Sequence, residues 1–136
     1  MKILLFRLWQ WIWGLPQNLL GLIIYLLHRS KPHSTCHGCV VTHWGGTGSM
    51  GLGMFLFLGD AKDPQVLIHE FGHSIQSAIL GPLFLPVMGI PSYLWCNLPV
   101  CRRMRKSKGL SYYAFYSESS ANFLGSLVTK ETCSLK

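Results

Sequence analysis

The sequence places His69 and His73 four residues apart, with Glu70 directly after the first, in the stretch HEFGH. On a helix, residues four apart share one face. The two imidazoles then stand side by side, a spacing that suits a zinc ion ~2.0–2.1 Å from each nitrogen. Glu70 falls beside the first ligand. There a carboxylate can take a proton from a zinc-bound water and hand it to a leaving amine. Zinc brings the pKa of such a water towards ~7, so hydroxide is available at neutral pH. The chemistry in prospect is hydrolysis of a peptide bond.

Gln76 and Ser77 extend the same stripe, while Leu67, Ile68, Phe71, Ile75, Ala78 and Ile79 fill the rest of the segment. One polar stripe on an otherwise apolar helix needs a reason. Gln76 is read as a support for the ligands. The alternative is that H-E-x-x-H is a chance pattern, since five-residue patterns recur.

A catalytic zinc takes three protein ligands and leaves one position for water. No histidine follows His73, so a closely following third histidine is excluded. The carboxylates are Asp60, Asp63, Glu70, Glu118 and Glu131. Glu131 lies near the end of the sequence, where chains fray. Asp60 and Asp63 precede the helix, and Asp63 is expected to cap it. Glu118 remains, in line with Asn122 and Gly125 on an expected helix. Its alternative role is a solvated helix residue among serines.

The elements that must position these residues follow from composition and punctuation. Hydrophobic residues make up 49% of the 136 and charged residues 12%, against about 25% charged in typical soluble domains. That balance predicts a mainly α integral membrane protein of one domain, 1–136. An N-terminal membrane helix is expected over 1–28, since 3–27 is long enough to span ~30 Å of hydrocarbon. Gly14 and Pro16 should kink or break it, and Trp9, Trp11 and Trp13 suit an interfacial belt. Residues 29–62 are expected to be loop and strand. The run GSMGLGMFLFLG, 48–59, reads as a buried strand or hairpin, either an edge to which a substrate strand could add or a plain core hairpin. The metal-site helices occupy 63–128. The first starts at Asp63-Pro64 and stops at Gly81-Pro82. The apolar segment 83–100 is broken by prolines and is expected to return rather than cross. The last helix, 111–128, carries the third ligand.

Arg102, Arg103, Arg105, Lys106 and Lys108 form one basic cluster within a net charge of +7. Beside apolar segments, this marks the cytoplasmic side of a lipid bilayer and argues against a nucleic-acid partner. Cys36, Cys39, Cys96, Cys101 and Cys133 are odd in number and give no disulfide framework. CHGC at 36–39, with His33, His37 and His43 nearby, is read as a flexible loop with incidental thiols rather than a Cys₂His₂ site. Tyr112, Tyr113 and Tyr116 include possible oxyanion donors, Tyr116 foremost, although packing explains them equally well.

HEFGH followed by Glu118-x-x-Ala121-Asn122 resembles the membrane-embedded gluzincin-type zinc metallopeptidases. HEFGHSIQSAILGPLFLPVMGIPS with YYAFYSESSANFLG is more similar still to small bacterial membrane proteins carrying HE(F/Y)GHxxQS and FYTExxA(D/N)xLG. The resemblance covers most of the chain. It implies that His69, His73 and Glu118 bind Zn²⁺ and that Glu70 is the general base. Asn122 stands beside the ligands where gluzincins usually have Asp; an amide can orient a ligand but adds no charge. The resemblance also implies a peptide or membrane-protein substrate and a bacterial inner membrane location. The alternative reading is a non-catalytic membrane protein with a structural zinc or no metal.

Overall fold

The computed structural model describes residues 1–46, 48–60, 63–131, 133 and 135. Among the described residues there are six α-helices and one four-stranded sheet, with the helices Leu15–Leu27 and Gln65–Leu80 packed against the sheet. α1 is Lys2–Trp13 and α2 is Leu15–Leu27. The break between them falls at Gly14, and Pro16 occupies the first turn of α2, where its missing N–H costs nothing.

The segment expected to be loop folds into strands. β1 (His33–Cys36) and β2 (Cys39–His43) form an antiparallel hairpin. Its two-residue turn, His37-Gly38, has both φ angles positive, as hairpins with primed turns require. CHGC is therefore the tip of a hairpin, with Cys36 opposite Cys39 in the register, rather than a flexible loop. β3 (Met50–Leu52) and β4 (Phe55–Leu58) follow as expected for a hairpin. β4 runs parallel to β2, so the strand order is β1-β2-β4-β3 and β3 lies at an edge.

Strand periodicity divides the core. Phe55 and Phe57 point to one face and pack with Phe84 and residues of α2; Leu56 points to the other and packs with Val41 and Phe71. Residues two apart share a face and neighbours do not, so one strand builds both halves of the core.

α3 spans Gln65–Leu80 and carries HEFGH. The Asp63 carboxylate accepts from the Gln65 N–H at 2.9 Å, in the manner of a cap. The proline-broken segment becomes a 3₁₀ turn (Gly81–Leu83), a π-helix (Leu85–Gly89) and α4 (Ile90–Asn97). α5 (Pro99–Lys108) holds the basic cluster. A 3₁₀ turn (Tyr112–Ala114) then leads into α6 (Tyr116–Thr129).

Among the described residues, no helix is long and apolar enough to cross a membrane. The stretch read as a membrane helix is two helices of 12 and 13 residues, and a span needs about 20. The expectations of an integral membrane fold, a transmembrane helix and a bacterial inner membrane location are corrected accordingly. The physical reason lies in three amides within the apolar run. Gln10, Gln17 and Asn18 are fully buried. Gln10 donates to the Ser74 carbonyl at 2.8 Å, and Gln17 donates to Ser77 Oγ at 2.6 Å and the Gly81 carbonyl at 2.9 Å. Asn18 donates to the Gln10 and Gly14 carbonyls across the break. The glutamine bonds fasten α1 and α2 to α3, and those of Asn18 tie α1 to α2. Trp9 and Trp13, read as an interfacial belt, donate instead to the carbonyls of Ala78 and Ile79, which lie in the last turn of α3, where helical carbonyls lack partners. The outward sides of α1 and α2 remain apolar, with Ile12 and Leu27 about three-quarters exposed.

Candidate metal centre and cleft

α3 and α6 cross with their backbones almost touching. A Cβ added at Gly72 would run into the Ala121 carbonyl, and one at Gly125 into the Ile68 carbonyl. Only glycine fits this approach. It brings the turn holding His69 and His73 directly over the turn holding Glu118.

The result is a buried group of three. Glu118 Oε2 lies 2.9 Å from His69 Nε2 and 3.3 Å from His73 Nε2. The three residues are 2%, 7% and 0% exposed for His69, His73 and Glu118. Their candidate ligand atoms lie within 4.8 Å of one another, and the group could hold a metal ion.

The far nitrogens of both rings are engaged. His69 Nδ1 lies 2.7 Å from Asn122 Oδ1, and His73 Nδ1 lies 2.8 Å from Gln76 Oε1. Amide oxygens only accept, so each Nδ1 is the protonated nitrogen of its ring. Each Nε2 of a neutral ring then presents a lone pair, and both face a carboxylate oxygen that also only accepts. Nothing but a proton or a metal cation can sit favourably among these three atoms. This is the donor set that a divalent metal takes, with histidine orientation fixed from behind, so the residues fit a metal.

The surrounding bonds fix each member. Gln76 donates from Nε2 to the Ser117 carbonyl and to Ser120 Oγ, both at 2.8 Å, so it ties His73 to the first turn of α6. Glu118 Oε1 accepts from Ser92 Oγ of α4 and from Ser117 Oγ. The polar stripe of α3 thus divides: Gln76 serves the metal group, whereas Ser77 joins the Gln10–Gln17 network.

Protonation follows the same contacts. Burial opposes a charge on His73, but its hydrogen bond to Glu118 and the charges of Glu118 and Glu70 outweigh this and hold it up to about 9. Burial likewise opposes ionisation of Glu118. Its contacts with His69 and His73 and the His73 charge prevail, leaving it well below the usual carboxylate range. Glu70 differs: burial raises it, against the lowering effect of the two histidines.

Glu70 is 4% exposed, and its Oε2 has no hydrogen-bond partner among the described residues. It lines a cavity of about 450 Å³ together with His73. It also lines a second of about 230 Å³ together with His69. Tyr112 lines both and Tyr113 the smaller one. Burial raises the pKa of each, with Glu118 and Glu70 adding to the effect, so both phenols remain O–H donors. The Tyr116 hydroxyl donates to the Val87 carbonyl and lines neither cavity. Arg105 of the basic cluster stacks over Trp95 and Tyr112 at 5.1 and 5.4 Å and so holds Tyr112 in the wall.

Sequence reasoning passed over Ser92 and Gly72, and it put Tyr116 before Tyr112. Of these only Gly72 left a signal, as a glycine in mid-helix at a cost of about 1 kcal/mol against Ala. The cysteine- and histidine-rich hairpin gathers no metal group: His33 faces Thr42 and His43 faces Ser34, and among the described residues only His69, His73 and Glu118 cluster in this way. No protein-family model, curated protein or solved structure matches the chain.

Proposed function

We propose that the protein is a zinc-dependent metallopeptidase in which His69, His73 and Glu118 hold Zn²⁺ and Glu70 is the general base. The observation that carries this reading is Glu70 itself. Its Oε2 is a buried carboxylate oxygen with no partner among the described residues, set between two cavities beside a three-residue metal group. A structural zinc takes four protein ligands. Here the described residues supply three, with a carboxylate facing open space. That favours catalysis over a non-catalytic zinc.

Zinc bound there would supply a Lewis acid and an acidified water. The chain's own residues do the remainder. Glu70 accepts a proton from the water that attacks the carbonyl carbon, then returns it to the departing nitrogen as the C–N bond breaks. The products are a carboxylate and an amine. Tyr112, a protonated phenol in the wall of both cavities, is placed to donate to the carbonyl oxygen in the role first expected of Tyr116. Asn122 and Gln76 hold the two imidazoles in the tautomer that leaves Nε2 free.

Elemental analysis and a peptide-cleavage assay test the proposal together. About one zinc per chain is expected, retained in Glu70→Gln with turnover reduced by more than about 100-fold. Cleavage by Glu70→Gln at the wild-type rate would overturn the mechanism. A protein that takes up no zinc would overturn the metal assignment.

A further inference from the structure

Ser49, Glu70, Cys96 and Tyr112 line both cavities, so Glu70 stands at the waist of one cleft. The two sides of that waist are unlike. The larger side is walled by Leu20, Ile24, Leu52, Phe84 and Met88, and among the described residues no lysine, arginine or aspartate lines it. The smaller side is lined by Gly48, Val66, His69 and Tyr113.

Size narrows the occupant. An apolar cavity of ~150 Å³ takes one benzene ring. The larger side, at about 450 Å³, therefore takes roughly two or three such groups. Tyr93 and Ile90 line it and are 65% and 55% exposed, so it communicates with the surface. Ser49–Leu52, which includes the edge strand β3, forms one wall. An edge strand offers backbone groups at regular spacing, which suits a polyamide better than a hydrocarbon tail.

Building on the peptidase reading above, we infer that the substrate is a polypeptide with an uncharged apolar run of roughly two or three residues on one side of the cleaved bond. The other side, at about 230 Å³, takes a single side chain up to roughly ring size. A charged side chain lying against Leu20, Ile24, Leu52, Phe84 and Met88 would be stripped of water with no partner among them.

Titration of two fluorescent peptides, one containing Leu-Phe-Leu-Gly-Ser and one Leu-Asp-Leu-Gly-Ser, tests this in metal-free and zinc-loaded protein. The apolar peptide is expected to bind at least about tenfold more tightly in both forms. Met88→Glu and Tyr93→Asp should each remove most of that advantage. Tyr93 is 65% exposed, so its variant keeps the fold even if Met88→Glu does not. Equal affinity for the two peptides, or a preference unchanged in Tyr93→Asp, overturns the inference. So does a dodecanoate probe that binds while neither peptide competes with it, since the cavity would then receive an acyl chain. If zinc uptake and cleavage occur without the preference, the substrate assignment falls alone. If the preference persists in a protein that takes up no zinc, the peptidase reading falls and the cavity assignment stands.

Discussion

The amide oxygen of Asn122 lies 2.7 Å from Nδ1 of His69, while the other nitrogen of that ring faces Glu118 at 2.9 Å. The amide thus decides which nitrogen of His69 carries its proton. The C-terminal segment holds the amide in turn, since Asn122 Nδ2 donates to the Leu135 carbonyl and Cys133 Sγ lies 3.2 Å from Oδ1. Removal of such a partner typically weakens metal binding about 10- to 100-fold. Asn122→Ala is expected to weaken zinc binding by about that factor. Asn122→Asp should preserve it, because a carboxylate accepts the same proton. Competition with a chromophoric chelator gives both constants; equal affinity in Asn122→Ala and wild type would remove Asn122 from the site.

What could be read from the sequence, and what could not, divides along physical lines. Metal chemistry restricts residue types severely, and the short supply of carboxylates leaves few choices, so a His69, His73 and Glu118 group could be proposed without a structure. The four-residue spacing needed only a helix. The amides of α1 and α2 were harder. Three amides within 3–27 leave that run apolar on average, yet Gln10 and Gln17 bind it to α3 and its following turn, and Asn18 ties α1 to α2. The partners of the two glutamines, Ser74 and Ser77, lie some sixty residues away. The hairpin at 33–43 was missed because its strands are four and five residues long and rich in polar residues. Gly72 had no role in the reading of HEFGH, since nothing local reveals that Ala121 lies against it.

The crossing at Gly72 gives a stability prediction. A methyl group there meets backbone rather than a yielding side chain, so α3 and α6 must separate. Overpacking of this kind costs about 1–3 kcal/mol, occasionally more. Gly72→Ala should lower the urea midpoint accordingly and weaken zinc binding in parallel, because the histidines and Glu118 sit on opposite sides of the crossing. Gly48→Ala, where a Cβ meets nothing within 4 Å, should change stability by less than about 0.5 kcal/mol. If Gly72→Ala behaves like Gly48→Ala, the close approach is wrong.

Proton linkage gives another. In the metal-free protein His73 titrates near 9, so at pH 7.5 it is largely protonated. A histidine ligand must be neutral, so the proposed zinc would displace a proton on binding. Calorimetry at pH 7.5 in buffers of different ionisation enthalpy should show release of about one proton. The release should shrink as pH passes 9. The metal-free fold responds with a definite sign. A folded value of about 9 above the ordinary 6.5 contributes stability that is complete below pH 6.5 and lost as pH rises through 9. Glu70, raised by burial, acts in the same direction. The melting temperature of the metal-free protein should therefore fall between pH 6.5 and 9.5. A flat or rising profile would contradict the His73–Glu118 contact.

Cys39 bears on the C-x-x-C pattern. It is fully buried on β2 beside the Ser74 hydroxyl, 3.3 Å away. Burial pushes its thiol up to about 12, with the Ser74 hydrogen bond opposing. Thiolate is the reactive form, and at pH 8 its fraction falls about a thousandfold relative to a thiol titrating at 9.0. Alkylation followed by mass spectrometry should find Cys39 unmodified in the native protein at pH 8 and fully modified in urea. The same burial stabilises the fold below pH 9, and that contribution is lost as pH rises towards 12. Rapid native labelling of Cys39 at pH 8 would place it outside the core that joins β2 to α3.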